Sequence, residues 1–143
     1  MKPIDILLVE DNEGDIILAI DAFEESRIRN KISVIRDGAA AISFFTSMQR
    51  QAKAPDLVLL DINLPKMSGH EVLVYLKANE RFKSIPVIML TTSSSKKDIV
   101  LCYKNQANCY ITKPVDVADF IYAIGKIEDF WINIATIPQR FKD

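Results

Sequence analysis

Short apolar runs punctuate the chain, and each gives way to a stretch in which apolar residues return at helical spacing. Runs with almost no polar interruption predict strands buried on both faces, as in parallel sheets, where helices cover both sides and the usual in-out alternation is lost. The runs are Ile4 to Val9, Ile32 to Ile35, Leu57 to Leu60, Val87 to Leu90 and Asn108 to Ile111. Between the first two, a helix is predicted from Asp15 onward, carried by Ile16, Ile20 and Phe23 and ending at Arg29 and Asn30. After the Asp37-Gly38 turn, Ala39 to Arg50 carries Ala41, Phe44, Phe45 and Met48 on its apolar face. Gly69 opens a third helix, with Val72, Leu73 and Leu76 turned inward and Lys77 outward. The hydroxyl cluster Thr91 to Ser95 suits the cap of a fourth, Lys97 to Lys104, and a fifth begins near Asp116 and runs to about Ile132. Strict alternation of strand and helix implies right-handed crossovers between parallel strands, hence one doubly wound α/β sandwich over residues 1–143.

Within that pattern the stretch from Asp56 to Gly69, DLVLLDINLPKMSG, places an acid, Asp61, where an apolar strand ends and the chain turns at Pro65 and Gly69. Open α/β sheets bind ligands beyond their carboxyl ends, so this carboxylate is positioned for chemistry. Parallel strands gather Glu10, Asp11, Asp61, Thr91 and Lys113 at that same edge. Three carboxylates in one place repel one another unless a cation neutralises them. Ligands that are all oxygen, without thiolate or imidazole, favour a hard divalent ion, and Mg²⁺ suits a site with several waters better than Ca²⁺. A cation, an ammonium group and a hydroxyl can together hold a phosphoryl group while an aspartate oxygen attacks in line.

Composition removes several other classes. A chain of 143 residues is long enough for one sizeable core and too short for a separate output domain beside it. With 18 basic and 19 acidic residues the net charge is −1, which offers no general attraction to nucleic acid or to an anionic membrane. The N-terminus, MKPIDILLVED, has neither the length nor the flanks of a signal peptide or membrane span, and a cytoplasmic location is expected. Cys102 and Cys109 form no metal spacing with the sole histidine, His70, and are expected to be reduced, structural thiols.

Glu10-Asp11 after the first strand, Asp61 after the third, Thr91 after the fourth and Lys113-Pro114 after the fifth resemble, in that order, the receiver domain of two-component response regulators. The resemblance covers about residues 4 to 130 and implies the flavodoxin-like strand order 2-1-3-4-5 with five helices. It makes Asp61 the acceptor of a phosphoryl group from a sensor histidine kinase. Asp11, Asp61 and the backbone carbonyl of Asn63 would hold Mg²⁺, with Glu10 acting largely through water. Thr91 and Lys113 would each bond a phosphoryl oxygen, Tyr110 would be the switch aromatic, and the bond before Pro114 would be cis. Glu10 stands where many members have Asp. Such a protein assists its own phosphorylation and dephosphorylation without turning over an outside substrate, and signals to a further protein through the face made by the fourth helix, fifth strand and fifth helix.

The C-terminal region carries a second expectation. Phe120, Ile124, Ile127, Trp131 and Ile134 form one helical stripe, which leaves Ile121, Phe130, Ile132, Ile137 and Phe141 outside it. That excess predicts a homodimer through the last helix and the extension at 131–143, with the fourth helix and fifth strand as further candidates; the alternative is a tail folded back on its own domain. The DINLPKMSG turn, the Phe130-Trp131 pair and this tail are also similar to small regulators that partner phytochrome-type kinases. Two further alternatives are a receiver fold that docks without phosphorylation and a haloacid dehalogenase-type phosphatase. The latter needs its nucleophile on the first strand and an acid two residues on, where this chain has Asn63.

Overall fold

Alternate residues of the central strands serve two separate interiors, which is why their sequences are apolar throughout. The computed structural model describes residues 4–25 and 30–138. Its strands β1 (Ile4–Val9), β2 (Asn30–Ile35), β3 (Leu57–Leu60), β4 (Val87–Thr91) and β5 (Cys109–Thr112) form one parallel sheet of order β2-β1-β3-β4-β5. They alternate with α1 (Glu13–Glu24), α2 (Gly38–Thr46), α3 (Gly69–Ala78), α4 (Lys96–Lys104) and α5 (Val117–Glu128). Leu7, Val9, Val58, Leu60 and Met89 pack with Phe45 of α2, Leu73 and Leu76 of α3 and Cys102 of α4. Ile6, Leu8, Leu57, Leu59 and Leu90 pack on the other face with Ile16 and Phe23 of α1 and with Phe120 and Ile124 of α5. Truncating a core leucine such as Leu60 to alanine costs about 2–5 kcal/mol, the transfer and cavity terms together.

Each helix start is fixed by a side chain. Asn12, Asp37, Ser68, Ser95 and Asp116 cap α1 to α5 in turn, each accepting a backbone N–H from the first turn. The cap at Asn12 starts α1 two residues before the expected Asp15. Two glycines admit close backbone approach: a Cβ on Gly38 would lie 1.9 Å from the Met67 carbonyl oxygen, and one on Gly69 2.0 Å from that of Asp61. Between them Lys66, at φ 67°, is the middle of a three-residue turn closed by the Met67 N–H on the Pro65 carbonyl at 2.8 Å.

Three expectations are corrected. The last helix does not continue as one stripe: after Glu128 the chain makes a π-helical turn, Asp129–Ile134, with the Ala135 N–H on the Phe130 carbonyl at 2.7 Å. The wider turn rotates the register, so Ile132 and Ile137 are buried against the α1 and α5 side while Ile134 is exposed. Phe141 lies outside the described residues. Lys77 does not point into solvent, because the connection from α3 to β4 returns beneath it. Its Nζ donates to the carbonyls of Lys83 (3.1 Å) and Ile85 (2.9 Å) and to Asn108 Oδ1 (3.0 Å), and burial lowers its pKa. The bond before Pro114, expected cis, is trans, as are all peptide bonds among the described residues. Trans is the lower-energy form by about 0.5–1 kcal/mol for an X–Pro bond, and Lys113 reaches the acids described below without leaving it. No helix among the described residues is long and apolar enough to cross a membrane.

Candidate functional site

Strand register brings the acids together. Val9 stands opposite Leu60 in the β1–β3 ladder, and the Asp61 N–H extends it by bonding the Val9 carbonyl at 3.1 Å. Glu10 and Asp61, the next residue of each strand, therefore emerge side by side. On the other flank Thr91 pairs with Thr112, and the Lys113 N–H bonds the Thr91 carbonyl at 2.7 Å, carrying Lys113 past the strand end.

Lys113 is buried and its Nζ is the hub of the cluster. It donates to Glu10 Oε1, to Asp15 Oδ2 at 2.9 Å and to Asp61 Oδ2 at 3.2 Å. Glu10 Oε2 accepts the backbone N–H groups of Asp11 (3.1 Å) and Asn12 (3.2 Å). Burial pushes the Glu10 carboxyl up to about 7; the Lys113 hydrogen bond opposes this and the charge of Asp61 adds to it. The same acids hold Lys113 above its usual range against its own desolvation.

Carboxylate oxygens of Glu10, Asp11 and Asp61 lie within 4.8 Å of one another, with Glu10 and Asp61 buried and Asp11 exposed. One ammonium does not neutralise these three acids and Asp15 together, so the cluster keeps an excess of acidic groups. That excess, on oxygen ligands with an open side at Asp11, fits a hard divalent cation. Asn63 is exposed next to it, its N–H donating to Asp61 Oδ1 at 3.3 Å.

The other expected residues stand one step away. Thr91 is fully buried, and its Oγ1 accepts the Ser93 N–H at 3.4 Å; the cap of α4 is Ser95 and not Thr91. Tyr110 is half-buried on β5, and its hydroxyl donates to the Ser93 carbonyl at 2.7 Å. Pro114 lines a neighbouring cleft between β5 and α5.

Asp15 is the member of the cluster that sequence reasoning did not place there. Asn12-x-x-Asp15 reads as a capping pair, and only the tertiary structure shows its carboxylate on Lys113. In the sequence Ser93 is only one of a run of five hydroxyl residues.

Comparison with known proteins agrees with this arrangement. The pattern of the response regulator receiver domain matches residues 6–125. Response regulator Rcp1 of Synechocystis sp. is 39% identical over 135 residues, covering 93% of this chain and 92% of its own. The structure of its Mn(2+)-bound form superimposes with a TM-score of 0.90 over 95% of this chain and 99% of that one. The phosphorylated cyanobacterial phytochrome response regulator RcpA superimposes with a TM-score of 0.92 at 39% identity, over 96% of this chain and 99% of its own. The probable methanogenesis regulatory protein FilR2 of Methanothrix harundinacea is 40% identical over 132 residues, 92% of this chain and 85% of that protein. The receiver pattern matches 120 of the 143 residues, and relatives at 39–40% identity align over nine-tenths of the chain or more: the chain belongs to the response regulator receiver domain family.

Proposed function

We propose that Asp61 is the phosphoacceptor, taking a phosphoryl group from a phosphohistidine of a sensor histidine kinase. The observation that carries this is the Lys113 ammonium 3.2 Å from the buried Asp61 carboxylate, with Glu10 and Asp11 beside it. An Asp61 oxygen attacks phosphorus in line; the new P–O bond forms as the P–N bond breaks and the imidazole leaves with the electron pair. Asp11, Asp61 and the Asn63 carbonyl would hold Mg²⁺, with Glu10 acting through water, and the cation would supply neutralisation of the phosphoryl oxygens. Lys113 pairs with one of those oxygens and the Thr91 hydroxyl donates to another. Tyr110 then repacks with the loop after β4, and the face of α4, β5 and α5 carries the change to a downstream protein. Chemistry is confined to the chain's own phosphorylation and hydrolysis, in the cytoplasm.

Likeness to RcpA supports a phytochrome-type kinase as the donor, although FilR2 is as similar in sequence. The extension from residue 131 supports a homodimer: Phe130 and Trp131 border a cleft of about 790 Å³ with Ile111, Pro114 and Tyr122, and Phe130, Tyr122 and Ile134 are exposed. Burial of Ile132 and Ile137 makes this apolar surface smaller than the sequence suggested.

Intact mass after incubation with acetyl phosphate and Mg²⁺ tests the core of the reading. A phosphoryl adduct that requires the cation and disappears in Asp61→Asn supports it, and size exclusion of the same samples reports dimerisation. Absence of any adduct on the unaltered chain refutes it.

A further inference from the structure

Ser93 has all its polar groups engaged. Its N–H donates to Thr91 Oγ1 (3.4 Å), its carbonyl accepts from Tyr110 (2.7 Å), and its hydroxyl donates to Asp98 Oδ2 (2.6 Å). The first two partners are the residues read above as the switch. The third belongs to a side-chain path in which the acid cluster takes no part. Asp98 Oδ1 lies 2.9 Å from His70 Nε2, and His70 Nδ1 lies 3.6 Å from the sulfur of the buried Cys102.

The direction of each bond follows from the groups. Hydrogen bonds from Ser93 and His70 hold Asp98 below the usual carboxylate range, so it is an acceptor only. Burial pushes the Cys102 thiol up to about 11, so it stays protonated and donates to Nδ1. With the thiol donating to Nδ1 and Asp98 accepting at Nε2, the hydrogen bonds select the tautomer that carries its proton on Nε2. Four hydrogen bonds thus run without conflict from α4 through α3 and back to the β4–α4 loop, ending at the switch tyrosine.

The histidine end of this path is anchored. Gly69, the residue before His70, abuts the Asp61 carbonyl so closely that no side chain fits, and its N–H bonds the Ile62 carbonyl at 2.8 Å. His70 therefore leaves a backbone position locked to the strand end that carries Asp61.

We propose that His70 and Asp98 are positioning residues that tether Ser93, and through it Thr91 and Tyr110, to the rigid start of α3, and so set the equilibrium between the two arrangements of the switch. The proposal rests on the reading of Thr91 and Tyr110 as that switch. A tether that bears equally on both arrangements changes stability alone; one that favours either arrangement changes the affinity for a phosphoryl mimic.

The test is calorimetric titration of the full chain with beryllofluoride at saturating Mg²⁺, with a thermal melt of each variant. His70→Leu removes the donor to Asp98, and Asp98→Asn leaves one acceptor oxygen where the carboxylate offers two, one to His70 Nε2 and one to the Ser93 hydroxyl. Each is expected to shift the affinity by about five-fold or more, both in the same direction. His70→Gln, which keeps a donor near Nε2, is expected within about two-fold of the unaltered chain, and in a Tyr110→Phe background the effect of His70→Leu is expected to fall below about two-fold. Should His70→Leu fail to fold, Asp98→Asn carries the same comparison. Unchanged affinity in a folded variant, whatever its melting temperature, or an undiminished effect in Tyr110→Phe, overturns the tether. Failure of the unaltered chain to bind beryllofluoride overturns the phosphoacceptor reading and the tether with it.

Discussion

Helices α1 and α4 begin with the same local device and use it differently. In each, a capping side chain is followed three residues later by an aspartate, Asn12 with Asp15 and Ser95 with Asp98. Ordinarily that acid would return to the backbone N–H of the cap. Here both N–H groups are already occupied, that of Asn12 by Glu10 Oε2 and that of Ser95 by the Ser93 hydroxyl. Both carboxylates are released to reach across the edge of the sheet. Asp15 meets a buried ammonium crowded by other acids, whereas Asp98 meets a histidine and a hydroxyl. One flank of this edge is governed by charge balance and the other by hydrogen-bond geometry, so the two should fail differently when altered.

The largest contrast comes from removing each hub. Lys113→Met leaves Glu10, Asp15 and Asp61 facing one another and is expected to cost roughly 3–5 kcal/mol at neutral pH, the scale for a broken buried ion pair. His70→Leu should cost only about 1–2 kcal/mol. Urea denaturation of both without divalent cation checks this, and equal losses would break the comparison.

Next is Glu10→Gln. Burial lifts this carboxyl from the usual 4.5 to about 7, so the folded chain binds an extra proton between those values. Its contribution to stability is therefore full below about 4.5 and is lost as the pH rises through about 7. Without divalent cation, Glu10→Gln should remove that slope and stabilise the chain by about 1–3 kcal/mol at pH near 8. Denaturation across pH reads it; a variant less stable than the unaltered chain there would show that Lys113 needs this acid.

Asp98 has the opposite sign. Its hydrogen bonds lower its pKa, so its contribution is present above 3.8 and is lost as the pH falls through the folded-state value. Asp98→Asn should be about 1 kcal/mol less stable at neutral pH, with the deficit shrinking in acid.

The smallest effect is a control at the far end of α4. Gln106 sits at φ 71° just past the helix, with the Ala107 N–H on the Cys102 carbonyl at 3.0 Å, a position that suits glycine. Gln106→Gly should stabilise by up to about 1 kcal/mol and leave beryllofluoride affinity unchanged. A shift in that affinity would mean that α4 responds to strain at either end.

The fold was legible because each central strand announced itself: Leu57 to Leu60 could be apolar throughout only if both faces were covered. The acid cluster was legible for a related reason, since parallel strands deliver the residues after them to one edge. What could not be read were the destinations of long or diverted side chains. Periodicity gives the direction in which Lys77 leaves its helix, not where four methylenes end, and they end on three oxygens. Asp15 and Asp98 look like ordinary caps until the N–H groups they would serve are seen to be taken. Ile134 was expected inward and Ile132 outward because a 3.6-residue period was carried through a stretch that turns more widely, while Trp131 does pack against the core.

Gly38 and Gly69 grip the turn after Asp61 from both sides, the first against Met67 and the second against Asp61 itself. The Gly38 N–H also holds the Pro65 carbonyl at 3.2 Å. The crevice is therefore a vise with one fixed jaw. On the proposed reading of Thr91 and Tyr110 as the switch, Asp61 and the starts of α2 and α3 keep their shape, and the travel falls to the jaw made by Thr91, Ser93 and Tyr110. A protein that gripped the fixed jaw would then recognise this chain without telling the two proposed states apart; only one that touched the other jaw could.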